Sequence, residues 1–399
     1  MYTQADKEEA FPWHLGVYDA HCHPTDTMSS MHELETMKTR ILTVMATREE
    51  DQELVLAAAE EYGMQSSHPR QWTRKECIVP CFGWHPWFSH QMYLSDDETT
   101  LPTMQNPEKE NKEKLTGEAK IKHYQAILQP ARPDPSEEDR QLFLALPDPT
   151  PFSAFLSHTR KQLQRHPYAL IGEIGLDRAF RIPEPWTLNP EPWRTRNTTL
   201  TLGGREGRRL TPFRTSPHHQ RRIFQLQLQL AAAMGRAVSV HGVQAHGMLL
   251  DAMQELWTGH EQAVVPTGTR AASAPDAKPA PCPYPPRICL HSYSGNPSSF
   301  QQYLRPGIPA RVFASFSTAI NLAGAVGGTT PAAFAEMVRT VPDHMLLVES
   351  DLDRAGEELD ARLEDMVRRL CEIKGWGLED GVVRLGRNWR AFVFGGDGE

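Results

Sequence analysis

His21 and His23 stand at positions i and i+2 where a short apolar run, Val17-Tyr18-Asp19-Ala20, passes into a loop. In a β-strand such positions share one side, so the two imidazoles can grip one cation, and neutral imidazole is the commonest metal ligand among side chains. Four later apolar runs also stop on a metal-ligating residue type. Glu173 follows Leu170-Ile171-Gly172, His241 follows Val238-Ser239-Val240, His291 follows Ile288-Cys289-Leu290, and Asp351 follows Leu347-Val348-Glu349-Ser350. Each alone reads equally well as a buried or loop residue. Six at the same end of successive strands are hard to assign to coincidence.

The elements that must position them alternate. Period-two and continuous apolar runs predict strands over 16–21, 41–46, 77–82, 169–173, 237–241, 288–291, 312–316 and 345–349. Helical spacing predicts helices over 49–62, 152–166, 218–234, 245–257, 331–341 and 357–373. Such alternation implies an α/β fold with a parallel sheet, and eight strands are the number that closes a (β/α)8 TIM barrel. A doubly wound open sheet is the structural alternative, but its Gly-rich turn after the first strand is missing. In a barrel, every strand end named above would open on one mouth.

Four histidines and two carboxylates there suit a pair of divalent cations. His21 and His23 would serve one ion, His241 and His291 the other, with Glu173 as the bridge. Asp351 would complete the first site and take a proton from the nucleophilic water. The expectation is therefore two divalent ions (Mg²⁺, Mn²⁺ or Zn²⁺), with Glu173 and Asp351 catalytic. Some binuclear barrel hydrolases bridge their metals with a carbamylated lysine on strand four; no lysine stands there, which implies a carboxylate bridge.

Length and composition suit one barrel domain, 1–399, carrying long insertions at 88–150, 178–217 and 258–286. The first two would emerge on the mouth face; the third, rich in Pro and Ala, would lie on the opposite face, mobile and dispensable for chemistry. No apolar run approaches the roughly 20 residues of a membrane span, and residues 1–9 are polar and acidic, unlike a signal peptide. The 6 cysteines are scattered without a Cys-x-x-Cys pair, as reduced thiols of a cytoplasmic or nuclear protein would be. A net charge of -8 argues against a protein that coats nucleic acid, though not against a local basic patch.

These residues resemble the TatD family of metal-dependent hydrolases, within the amidohydrolase superfamily. The matching stretches are Asp19-Ala20-His21-Cys22-His23, Gly83-Trp84-His85-Pro86, Gly172-Glu173-Ile174-Gly175-Leu176-Asp177, Leu290-His291-Ser292-Tyr293-Ser294-Gly295 and Glu349-Ser350-Asp351. The helix over 220–234 entering strand five, with Gln225, Gln227 and Leu228, is similar too, and Asn388 within 386–392 resembles the family's closing helix. The resemblance implies phosphodiester hydrolysis, often as a DNA exonuclease, with His21, His23, Glu173, His241, His291 and Asp351 as metal ligands. It makes His85 a candidate for holding the substrate phosphate.

Three positions depart from the family pattern. Val243 stands where an arginine is usual, Leu352 and Asp353 follow Asp351 where a proline is expected, and Arg178 replaces a common tyrosine. The insertion after strand four offers Arg194, Arg196, Arg205, Arg208, Arg209 and Arg214, with Arg221 and Arg222 beyond. Arg178, Arg221 and Arg222 are thus expected at DNA phosphates, and Trp84, Trp87, Trp186 and Trp193 are candidates to stack on splayed bases. DNA ends, including single-stranded ones, are the expected partner, with no membrane. Two other readings stay open. One is a metallohydrolase of small esters, amides or phosphoesters; the other is a metal-binding protein that docks a protein partner through its insertions, where Glu108 to Lys114 show the mixed charge of solvated helices.

Overall fold

The computed structural model describes residues 10–94, 113–188, 190–261 and 282–396. Eight parallel strands carry the fold: β1 (Tyr18–Cys22), β2 (Ile41–Met45), β3 (Ile78–Cys81), β4 (Ile171–Asp177), β5 (Val238–Val243), β6 (Arg287–Leu290), β7 (Arg311–Phe316) and β8 (Leu346–Val348). They hydrogen-bond as β1-β2-β3 and β4-β5-β6-β7-β8. Backbone bonds join the two groups. Leu170 N donates to Pro80 O at 3.0 Å and Phe82 N to Leu170 O at 3.1 Å; Asp351 N donates to His21 O at 3.0 Å and His23 N to Leu352 O at 2.7 Å. The sheet therefore closes on itself as a TIM barrel.

Helices Glu49–Tyr62, Phe152–Arg165, Pro217–Met234, His246–Trp257, Ala332–Thr340 and Glu357–Lys374 cover the strands, near the ranges their spacing predicts. Their buried stripes meet the outward strand residues, such as Leu42 and Val44 of β2. The inward residues form a second cluster with Tyr18, Ile41, Val79, Leu170 and Phe313. The closing helix implied by the resemblance around Asn388 is present as Leu378–Phe394 and plugs the N-terminal end. Its Trp389, 1% exposed, stacks on Tyr18 at 4.8 Å and donates Nε1 to Thr43 Oγ1 at 3.0 Å. Gly386 makes that approach feasible, since a Cβ there would lie 2.9 Å from the Tyr18 ring.

The two insertions on the mouth face are more ordered than loops. The first carries helices Gly117–Ile127 and Glu137–Ala145, and the second lends it a strand. Leu128–Gln129 pairs antiparallel with Arg214–Thr215, and Ile121, Tyr124, Phe143 and Phe213 make a satellite core. This second small core orders the two insertions by letting their residues bury apolar area. Of the charged stretch Glu108 to Lys114, only 113 and 114 are described, outside any helix, and most of the third insertion (262–281) also falls outside the described residues. No helix among the described residues is long and apolar enough to cross a membrane. Five of the cysteines are buried and Cys282 is exposed, and none of the six is in a disulfide.

Candidate metal centre

The strands deliver their polar residues to one point. Glu173 was expected to end its strand, but β4 runs on to Asp177, and its register against β5 shifts between Ile171 and Ile174. A bulge of this kind re-aims a side chain, and Glu173 lies within it. Two residues on, Gly175 approaches β5 so closely that a Cβ would lie 2.0 Å from His241 O. The bulged carboxylate thus sits among imidazoles from β1, β5 and β6.

Its two oxygens face different groups. Oε2 lies 3.4 Å from His21 Nε2 and 3.3 Å from His23 Nε2. Asp351 Oδ1 stands on that same side, 3.7 Å from His21 Nε2 and 3.4 Å from His23 Nε2. Oε1 lies 2.8 Å from His241 Nδ1, 2.8 Å from His291 Nε2 and 3.0 Å from His85 Nε2. All six residues expected as metal ligands are therefore gathered, and each set of three or more ligand atoms spans less than 4.8 Å. His85, expected at a phosphate, is drawn into the same cluster.

The electrostatics favour a cation there. Burial alone would raise the Glu173 carboxyl, but His85, His291 and His21 outweigh it and hold the group well below the usual carboxylate range. Burial also opposes charge on His23 and His291, yet the carboxylates they face hold both well above the ordinary imidazole value. His85 is pushed down by burial to about 4. Nitrogen faces nitrogen at 3.0 Å between His21 Nε2 and His23 Nε2, and at 3.3 Å between His241 Nδ1 and His291 Nε2. Each pair either shares one ring proton as a hydrogen bond or turns both lone pairs to a common cation. Imidazole nitrogens mixed with carboxylate oxygens are a donor set suited to divalent transition ions, and the residues fit a metal.

Other side chains, unassigned from the sequence, orient these donors. Ser239 Oγ lies 2.8 Å from His21 Nδ1, Asp177 Oδ2 3.3 Å from His241 Nε2, and Glu349 Oε1 3.5 Å from His291 Nδ1. Asp177 also accepts Trp87 Nε1 at 2.6 Å, and His241, which donates to it, helps hold its carboxyl down at about 2 against burial. Metal-binding imidazoles characteristically turn their second nitrogen to such a partner. A signal was present in the spacing: Ser239 and Glu349 each lie two residues from a candidate ligand, and Asp177 lies four away.

The cluster floors a cavity of about 370 Å³. Arg178, Arg221 and Arg222 are not on its wall. Arg178 is exposed, and Arg221 pairs with Glu255 on the neighbouring helix at 2.6 Å. The wall arginine is Arg48, buried and already engaged with Asp26 at 2.6 Å and Asp51 at 3.0 Å. Trp84 is also withdrawn, 3% exposed with Nε1 donating to Phe88 O. It serves packing, which corrects the stacking expectation for that residue.

A closed parallel barrel with histidines and carboxylates at its C-terminal mouth is the architecture of metal-dependent barrel hydrolases. The model of the TatD related DNase family matches residues 18–392, and this chain belongs to that family. It is 33% identical over 94% of its length to the Cut9-interacting protein scn1 of Schizosaccharomyces pombe, covering 98% of that protein. It is 26% identical over 72% of its length to the uncharacterized deoxyribonuclease YMR262W of Saccharomyces cerevisiae, covering 74% of it. Two crystal structures share the fold. A TatD family hydrolase from Entamoeba histolytica matches with TM-score 0.50 at 10% identity, covering 95% of this chain and 98% of that one. An uncharacterized amidohydrolase from Saccharomyces cerevisiae matches with TM-score 0.50 at 12% identity, covering 94% and 98%.

Proposed function

We propose that this TatD-family hydrolase cleaves phosphodiester bonds at nucleic-acid ends, with two divalent cations and Glu173 between them. The observation that carries the reading is the divided carboxylate: one oxygen toward His21 and His23, the other toward His241 and His291. His21, His23 and Asp351 would hold one ion, His241 and His291 the other, with His85 beside it. Divalent cations held there supply Lewis acidity, acidifying water and neutralising charge on phosphoryl oxygens. The nitrogen-rich donors favour Zn²⁺ or Mn²⁺ over Mg²⁺.

The chain's own groups do the rest. Asp351 accepts a proton from the attacking water as its oxygen bonds to phosphorus and the ester P–O bond breaks. The departing alkoxide takes a proton from solvent. Asp177, Glu349 and Ser239 keep the imidazoles turned inward. The family's description as a DNase and the budding-yeast relative's name support DNA as the polymer. Cysteines that form no disulfide suit a reducing compartment, cytoplasm or nucleus.

The test is hydrolysis of an end-labelled oligonucleotide by purified protein with Mn²⁺ or Zn²⁺, with and without chelator. Chelator-sensitive shortening that disappears in Glu173→Ala is expected. Turnover unaffected by both treatments would refute the reading. Cleavage of small chromogenic esters with no attack on oligonucleotides would favour a small-molecule hydrolase. A second reading, protein docking, is favoured by the name of the fission-yeast relative, which records an interaction with Cut9. Partner binding retained by the inactive Glu173→Ala protein would separate the two roles.

A further inference from the structure

A second cavity, about 360 Å³, adjoins the first and shares Trp87 and Phe88 with it as a dividing wall. Its far side is built by the insertion after β4, whose Trp186 and Trp193 meet edge to face at 5.3 Å. Phe180 lies parallel to Trp87 at 4.7 Å and an interplanar angle of 9°. The insertion is fixed across the mouth: Thr201 N donates to Asp26 O at 2.8 Å, and Arg48 Nε to Leu202 O at 2.8 Å. This compartment is therefore a part of the fold rather than a gap under a loose loop.

Its chemistry is that of a stacking site. Trp87 and Trp193 remain 37% and 43% exposed, a large apolar area for indoles held in place on both sides of one cleft. Arg208 lies over the Trp186 ring at 4.8 Å and Arg196 over Trp193 at 4.6 Å, so aromatic faces and guanidinium charge occur together. Glu50 is the acid on this wall. Flat π faces beside cationic groups take up nucleobases without sequence preference. Each compartment is at the lower end of small-ligand pockets, about 300–1,000 Å³. One nucleotide fits in each; a stacked duplex does not.

We infer that the second compartment, walled by this chain's own insertion after β4, holds the base of the nucleotide adjoining the scissile phosphate, on the far side of Trp87. The inference rests on the phosphodiesterase reading for its position relative to the scissile bond, while base binding itself is measurable without turnover. In this arrangement Trp193 and Trp186 receive the base, and Trp87, anchored on Asp177, separates it from the metal cluster.

The test compares two labelled oligomers of equal length and charge, oligothymidylate and an abasic strand, by fluorescence anisotropy. The protein is full-length Asp351→Asn with Mn²⁺ present, chosen because its slowed turnover leaves the strands intact while binding is read. Equal charge cancels the phosphate contribution, leaving the base. Binding of oligothymidylate about tenfold tighter than the abasic strand is expected. Trp193→Ala should reduce that preference below about twofold, and Trp193→Phe should restore most of it. Equal affinity for the two strands overturns the inference, and that comparison needs no aromatic variant. So does a preference unchanged in folded Trp193→Ala. Absence of hydrolysis by the wild-type protein would instead overturn the phosphodiesterase reading, with base preference still to be read from these curves.

Discussion

At the C-terminal end of the barrel, His21, Glu173, His241 and His291 are buried together with their polar atoms converging. At the N-terminal end, Tyr18, Phe313, Trp389 and Phe392 are buried as an apolar plug. The same strands supply both. Tyr18 and His21 are three residues apart in one strand, yet one belongs to packing and the other to chemistry. The difference teaches where stability and function reside in this fold: the plug gains by excluding water, whereas the mouth concentrates polar groups that only an ion or substrate satisfies fully. Variants at the two ends should therefore fail in different ways.

The largest separation is expected at the mouth. Asp351→Asn should lower phosphodiester hydrolysis by about 10²–10⁴-fold, with a melting transition close to that of the parent. Glu173→Ala should lower it further. At the plug, Trp389→Ala should cost about 3–5 kcal/mol of stability, read by chemical denaturation, while the folded fraction keeps its full metal content. Lost metal in folded Trp389→Ala protein would break the division between the ends. Between these extremes, Asp177→Asn should weaken metal affinity by about 10–100-fold, measured by competition with a chromogenic chelator.

The satellite core sharpens the comparison through pH. His90 and His219 are buried near the first insertion, pushed down by burial to about 3 and about 4. His219 Nε2 faces Ser89 O and Met92 O at 3.1 and 3.0 Å. Folding keeps these rings neutral, so the unfolded chain binds more protons below about pH 6.5. Their contribution is fully present above that pH and is lost as pH falls towards 4, at about 1.4 kcal/mol per unit for each ring. His219→Gln should flatten the stability profile between pH 6.5 and 4.5. The smallest effect is expected from Arg221→Ala, within about 0.5 kcal/mol and without change in hydrolysis, because its partner Glu255 lies outside the metal cavity.

Much of this division was legible in the sequence. Strand order and the six converging residues follow from period-two alternation and from residue type at strand ends. Helix Glu49–Tyr62 coincides with its predicted range. Less legible was what depends on contacts between distant segments. The strand-four boundary was missed because a bulge carries β4 past Glu173 to Asp177. Helix Leu378–Phe394 was legible only through the resemblance around Asn388 and not among the helices read from spacing, where Gly381 and Gly386 interrupt it. The arginines beyond strand four carry the charge expected for DNA, but charge in sequence does not fix direction: Arg208 lies on the Trp186 ring and Arg221 on Glu255. Arg48 reaches the cavity wall from the cap of helix Glu49–Tyr62, where no basic motif marked it.

The central claim is that Glu173 joins two cation sites, and metal stoichiometry tests it most directly. Protein loaded with Mn²⁺ or Zn²⁺, freed of excess and analysed by mass spectrometry under native conditions, should carry two ions per folded chain. Glu173→Ala should carry one or none. Two ions retained by the variant, or none in the wild-type chain, would contradict the account.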